Sequence, residues 1–169
     1  MRAIVTTTSD NALLRKKAEA VPVAEISSPR IQQIIKDMSE ALRATVDGIG
    51  IAAPQIGESL RIFIASEEAV ALDPTTKTKA EWLHWVFINP EITSIALTTE
   101  EDSEGCLSVP GTFGITKRAE KATIRAFNEH GQAVERSATG LLARLFQHEV
   151  DHLNGKLFID HATDLIQNS

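Results

Sequence analysis

The chain has 169 residues, 43% hydrophobic and 24% charged, the balance of an ordinary globular domain long enough to bury a core. A net charge of −6 argues against an electrostatic nucleic-acid or anionic-membrane surface, and no apolar run approaches the ~18 residues of a membrane helix. A single cysteine, Cys106, excludes an internal disulfide and fits a reducing compartment.

The N-terminal stretch "MRAIVTTTSDN" lacks the apolar core of a signal peptide and is too poor in arginine for a transit peptide. A cytoplasmic protein is expected, an organelle or a virus-infected host cell also being compatible. The first clear element is a helix in "SSPRIQQIIKDMSEALRATVDG". Ser28 caps it, Pro29 suits its first turn and Gly48 its end. Ile31, Ile34, Ile35, Met38, Leu42 and Val46 follow the spacing of one buried stripe.

Short extended segments follow. "RIFIA" (61–65), "WVFINPEI" (85–92), "ITSIAL" (92–97), "GITKR" (114–118) and "ATIRAF" (122–127) are rich in β-branched and aromatic residues. "NEHG" (128–131) suits a hairpin turn before another strand at 132–136. Residues 65–84 are polar, with a turn at Asp73-Pro74, and predict a long surface excursion. A last helix is expected from an N-cap at Thr139 to about Leu153, with Leu141, Leu142, Leu145 and Val150 as its apolar content and Gly155 after its end. Helices and strands that do not alternate as βαβ units predict an α+β fold with antiparallel β-sheets, in a single domain over 1–169.

That helix carries "FQHEVDHLNG" (146–155). His148 and His152, four apart, share one helix face and can converge on one metal ion, with Glu149 beside it as a proton carrier. A catalytic site of this type has three protein ligands and an open position. In "HEVDHLNGKLF", Phe158 stands where one known arrangement places a third histidine, and no glutamate follows Glu149. The third ligand is therefore sought among Cys106, His84, His130 and an upstream carboxylate, with His161 as the downstream alternative. Cys106 offers a thiolate suited to a borderline metal, against the bland alternative of a small buried hydrophobe. "GIGIAAPQIG" (48–57) surrounds Gln55 with small residues, so that a substrate backbone can run alongside and the glutamine amide can donate.

Three segments taken together resemble the peptide deformylases: "GIGIAAPQ" (48–55), "EGCLS" (104–108) and "QHEVDH" (147–152), in the family's order. "INPEI", "SVPG", "GLLARLFQHEVDHLNGKLFID" and "LLRKKAEAV" extend the resemblance over nearly the whole chain. It implies an α+β domain, with antiparallel β-sheets packed around a central helix carrying the HExxH motif, that removes the formyl group from N-formylmethionyl peptides and nascent proteins, releasing formate. Cys106, His148 and His152 would hold one divalent ion, Fe(2+) by family habit, with Zn(2+), Ni(2+) or Co(2+) able to substitute. Glu149 would be the general base and then acid, and Gln55 with the Leu107 N–H would stabilise the oxyanion. Ile49, Gly50 and Gly105 would line the substrate.

The pattern departs from the family at Ile51, in place of a leucine, and at Phe113, where many members carry an arginine that positions the peptide. The chain also lacks the long basic C-terminal helix of typical bacterial members. With no Lys or Arg in "HATDLIQNS" (161–169), weak or absent ribosome association is expected, together with no membrane, no direct nucleic-acid partner and a monomeric state. The competing readings are a metallopeptidase cutting internal bonds and a metal-holding binding module of little activity.

Overall fold

The computed structural model describes residues 2–167. Among these, three α-helices and eight strands follow in the order α1 (Thr7–Leu14), α2 (Pro29–Arg43), β1 (Gly50–Ala52), β2 (Ile62–Ser66), β3 (His84–Ile95), β4 (Thr99–Cys106), β5 (Val109–Ala119), β6 (Lys121–Phe127), β7 (Ala133–Thr139), α3 (Gly140–Leu153) and β8 (Thr163–Gln167). Every strand pair is antiparallel. One sheet has the order β1-β2-β3-β6-β7 and the other β4-β5-β8. This is the α+β class expected from the sequence.

Strand alternation explains the layering. Successive side chains of β2 point to opposite faces. Ile62 and Ile64 join Ile31, Ile34 and Met38 of α2 in one buried cluster. Phe63 and Ala65 join Leu142, Phe146 and Leu153 of α3 in another. One end of the five-stranded sheet therefore lies between two helices, and β2 is buried throughout. Phe63 stacks on Phe87 with centroids 4.8 Å apart, and Phe87 meets Phe146 edge-on at 5.3 Å.

Helix α2 starts as the sequence predicts, with the Ser28 hydroxyl accepting from the Ile31 N–H and Pro29 in the first turn. It stops at Arg43 rather than Gly48. Both the N–H and the hydroxyl of Thr45 donate to the Leu42 carbonyl, which turns the chain out of the helix. Val46, expected in the buried stripe, is accordingly 83% exposed. The two strands predicted at 85–92 and 92–97 are one strand, β3, with register shifts between Ile88/Glu91 and Ile92/Ser94. Asn89, at φ 50°, sits in the first shift, and its side-chain amide exchanges hydrogen bonds of 2.8 and 2.7 Å with the backbone of Val21.

Strand β4, "TEEDSEGC", escapes a reading by β-propensity because it is acidic. Cross-strand partners supply what propensity does not: Glu100 lies opposite Arg118, and Glu101 opposite Lys117. The excursion expected at 65–84 spans 67–83, since Ala65, Ser66 and His84 pair in the sheet, and contains two short 3-10 turns at Glu67–Val70 and Pro74–Thr76, the second capped by the Asp73 carboxylate.

Helix α3 lies between the two sheets. Its apolar side meets the five-stranded sheet, and its polar side meets β4 and β5 through Arg144, Gln147, His148 and Asp151. Gln147 behaves as a surrogate strand residue: its amide oxygen accepts from the Ala119 N–H and its NH2 donates to the Ala119 carbonyl, both at 3.0 Å. The helix ends at Asn154 and Gly155. Gly155 has φ +72° and lies so close to the N-terminal segment that a Cβ there would stand 2.3 Å from the Arg15 carbonyl oxygen.

Candidate metal centre

His148 and His152 project from one face of α3, and Cys106 is delivered to them by the end of β4. A turn at Leu107 and Ser108 returns the chain at once, so that Cys106 pairs with Val109 while Gly105 pairs with Phe113. The three intervening residues of β5 are left out of the register with β4. Nε2 of His152 stands 3.2 Å from Cys106 Sγ and 3.1 Å from His148 Nε2, and the three donor atoms lie within 4.8 Å of one another. Bonds of about 2.0–2.1 Å to nitrogen and 2.3 Å to sulfur, at tetrahedral angles, put donors roughly 3.3–3.6 Å apart. The two separations from His152 are close to those edges, and a thiolate with two imidazoles is a donor set for a borderline divalent ion. The residues fit a metal.

The charge around the cluster is arranged in depth. The Glu104 carboxylate, 7% exposed, meets Nδ1 of His148 at 2.5 Å, the Arg118 guanidinium at 2.7 and 3.1 Å, the Thr116 hydroxyl at 2.6 Å and Arg144 at 3.4 Å. Burial alone would raise its pKa, but the His148 and Arg118 hydrogen bonds hold it well below the usual carboxylate range. With Nδ1 engaged by Glu104, the Nε2 lone pair of His148 is left to face the cluster. For Cys106, burial pushes the thiol up, and the His152 and His148 imidazoles outweigh it, so the thiolate is favoured. The Ser108 N–H, 3.4 Å from Sγ, adds a donor.

Glu149 is 2% exposed, and its Oε2 has no hydrogen-bond partner among the described residues. Burial pushes its pKa up to about 7, against the pull of His148 and His152, which places it where a carboxylate can both take and return a proton near neutrality. Gly50 makes room for it. A Cβ on Gly50 would stand 2.8 Å from Glu149 Oε1 and 2.6 Å from the Leu145 side chain.

Gln55 is oriented by its own loop. The Ala52 N–H donates to its Oε1 at 2.8 Å, which turns Nε2 toward Ser108 Oγ at 3.2 Å and Cys106 Sγ at 3.7 Å. Among the described residues, the Leu107 N–H has no acceptor.

A cavity of about 420 Å³ opens onto these groups. Ile49, Gly50, Gln55, Gly105, Cys106, Leu107, His148 and Glu149 all line it, and His152, 1% exposed, closes the cluster from behind. Of the other histidines weighed as ligands, His84 lies at the start of β3, His130 in the β6–β7 turn and His161 on the surface; none is in the cluster. Phe113 is 44% exposed and lies against Gly105 at the cavity mouth, with Leu141, 50% exposed, on the same rim rather than in the core. Ile51 is fully buried under α2, away from the cavity, so its departure from leucine is a matter of packing.

Sequence reasoning missed the supporting layer of Glu104, Thr116, Arg118, Arg144 and Ser108. Glu104 is one of several acids in "EEDSE", and only the register of β4 against β5 and α3 distinguishes it.

A family model described as Polypeptide deformylase matches residues 1–168. A peptide deformylase of Dehalococcoides mccartyi (strain CBDB1) is 43% identical over 149 residues, 88% of this chain and 80% of that one. A crystal structure of peptide deformylase from Thermotoga maritima superposes with a TM-score of 0.81 at 34% identity, covering 96% of this chain and 98% of that one. A Met-Ala-Ser-bound structure of the class I type b peptide deformylase from Acinetobacter baumannii superposes with a TM-score of 0.82 at 32% identity, covering 95% and 99%.

Proposed function

The chain belongs to the polypeptide deformylase family, and from that premise we propose which of its residues carry the activity. The activity itself is that of a peptide deformylase: removal of the N-formyl group from nascent peptides, releasing formate, with a metal ion in service. Cys106, His148 and His152 would hold the ion. When bound, it supplies Lewis-acid polarisation and acidifies water.

Glu149 takes a proton from the attacking water. The water oxygen adds to the formyl carbon, the C–N bond breaks, and Glu149 returns the proton to the leaving amine, so formate and a free amino terminus result. The Gln55 amide and the Leu107 N–H donate to the formyl oxygen as negative charge develops on it; one such donor is typically worth roughly 10²–10³ in rate. Ile49, Gly50 and Gly105 form the wall and floor along which the peptide lies. The native ion is taken to be ferrous iron, and the same two imidazoles and thiolate accommodate zinc, nickel or cobalt.

Residues 1–169 form one catalytic domain in this reading, because the cavity lining runs from Asp47 to Glu149 across both sheets and α3. The net charge of −6 favours action on formylated peptides as a monomer with weak ribosome association.

The observation that carries the assignment is the unpartnered Glu149 oxygen beside three converging ligand atoms in one cavity with the Gln55 amide. Formate release from formyl-Met-Ala-Ser, with acetyl-Met-Ala-Ser and an internally cleavable peptide as comparisons, tests it. Release from the formyl peptide alone is expected. Internal cleavage at a comparable rate would favour a metallopeptidase.

A further inference from the structure

Between β2 and β3 the chain leaves the sheet and comes back as a strap. The Glu67 N–H donates to the Leu83 carbonyl at 2.9 Å and closes its base. Trp82, 5% exposed, anchors it, with the Lys77 ammonium 4.6 Å from the ring centroid. From this strap Lys79 reaches across 31 residues of sequence to donate to the Gly48 carbonyl at 3.0 Å, while also meeting Glu68 Oε2 at 2.6 Å. Both bonds are charge-assisted, and the side chains of Lys79 and Glu68 are only 26% and 15% exposed.

Gly48 lines the cavity. Its N–H is held by the Thr45 hydroxyl at 3.2 Å, and it is packed so closely that a Cβ would stand 2.3 Å from Thr45 Oγ1 and 3.1 Å from Leu107. The Gly48 carbonyl and the Ile49 N–H belong to one planar trans peptide unit and point in opposite directions. Fixing the carbonyl therefore fixes the amide. The Ile49 carbonyl is already held by the Ser66 N–H at 2.7 Å, whereas the Ile49 N–H has no acceptor among the described residues. Of this peptide unit, among the described residues, the carbonyl alone is hydrogen-bonded, and its donor is Lys79.

We propose that Lys79 is a positioning residue: by holding the Gly48 carbonyl from outside, it sets the orientation of the Ile49 wall against which the formylated peptide binds. This rests on the reading of Ile49 and Gly50 as the substrate wall. Lys79 touches neither the reacting atoms nor the metal ligands, so its removal acts on binding rather than on chemistry.

The test is a series at Lys79 in the metal-loaded enzyme, read as kcat and KM for formyl-Met-Ala-Ser and as Kd for the product Met-Ala-Ser. Lys79→Met removes the donor, Lys79→Gln leaves a neutral one and Lys79→Arg restores a cation. KM and product Kd are expected to rise ~3–10-fold in Lys79→Met, less in Lys79→Gln and little in Lys79→Arg, with kcat within about twofold throughout. Metal content should not change. Flat KM and Kd across the series, or a fall in kcat that parallels loss of thermal stability, overturns the proposal. If Lys79→Met does not fold, the ordering of Lys79→Gln against Lys79→Arg decides. The Ile49 amide resonance, followed as Met-Ala-Ser binds the wild type, separates the two failures: a shifted resonance with a flat Lys79 series sinks only the role of Lys79, whereas an unmoved resonance sinks the reading of Ile49 as the wall.

Discussion

Glu104 Oε1 stands 2.5 Å from Nδ1 of His148, so a carboxylate 44 residues upstream decides which nitrogen of that imidazole faces Cys106 and His152. The same carboxylate is the counter-charge for Arg118 and Arg144, both nearly buried. Glu104→Gln keeps the shape and removes the charge. Metal affinity, measured by competition with a chelator, should weaken by ~10–100-fold, the usual effect of losing a partner behind a ligating histidine. Stability should fall by ~1–3 kcal/mol, because Arg144 loses its carboxylate partner while Arg118 keeps Asp151 at 2.6 Å. An unchanged metal affinity would mean that His148 does not depend on Glu104.

Cys106→Ser tests the sulfur ligand. The wild-type protein should contain about one metal per chain. The serine variant, whose oxygen is a harder and less acidic donor, should bind the ion more weakly or shift its preference among iron, zinc, nickel and cobalt. Full metal content with unaltered activity would remove Cys106 from the site. Iron-loaded wild type should also lose activity in air, through oxidation of the ion or the thiolate.

Glu149→Gln retains size and removes the proposed base. Turnover should drop by at least ~10² while metal content holds. Because Glu149 is enclosed rather than exposed, the loss should appear in kcat with KM little changed. Near-normal turnover in the loaded variant would require another group to move the proton.

Gly50→Ala places a methyl group against the Glu149 carboxylate and the tip of Leu145. Both are ends of side chains that can move, so the fold should survive with a loss below ~2 kcal/mol. The displaced carboxylate should nonetheless lower kcat by ~10–100-fold, the scale of a misplacement of about 1 Å. Wild-type kcat in this variant would show that Glu149 tolerates displacement and would weaken its assignment as base.

His84 supplies a pH dependence remote from the metal cluster. Its Nδ1 is buried without a partner among the described residues, and burial first, then Arg43 and Lys79, lower its pKa to about 4 from 6.5. Above about pH 6.5 the imidazole is neutral in folded and unfolded chains, and its contribution is complete. As pH falls from 6.5 to 4 the unfolded chain takes up a proton that the folded one refuses, so stability declines over that window. The decline amounts to ~1–2 kcal/mol once solvent screening at this half-exposed position is allowed for. Denaturant titrations at several pH values should show His84→Gln losing less than wild type over that interval. Equal slopes would remove His84 as the cause.

The sequence made the α3 helix and its candidate metal-facing residues legible because their signals are local. His148, Glu149 and His152 lie within one helical turn, and Gly155 marks its end. Motif order then brought Cys106 and Gln55 into the same frame. What stayed hidden depends on register. Glu104 looks like its neighbours in an acidic run until β4 is aligned on β5. The end of α2 was misplaced because Thr45 competes for the Leu42 carbonyl, a side-chain effect that helix periodicity does not contain. The two predicted strands at 85–97 are continuous because Asn89 absorbs the irregularity by bonding to Val21, a residue 68 positions away.

The close seat of Gly155 on Arg15 bears on the order in which the molecule assembles. The Ala18 N–H donates to the Leu153 carbonyl at 3.0 Å, and Arg15 pairs with Asp160. A segment near the start of this sequence therefore completes the end of the last helix, and that helix bears two of the three candidate ligands. Closing a loop of this length is entropically slow relative to local pairing, so the contact forms late. Until α3 is in place Cys106 has no partner imidazoles from the cluster, so the three-donor arrangement does not exist before that helix docks. Metal loading should coincide with the final folding step, and refolding followed by metal uptake should give the same rate as refolding followed by burial of the tryptophans.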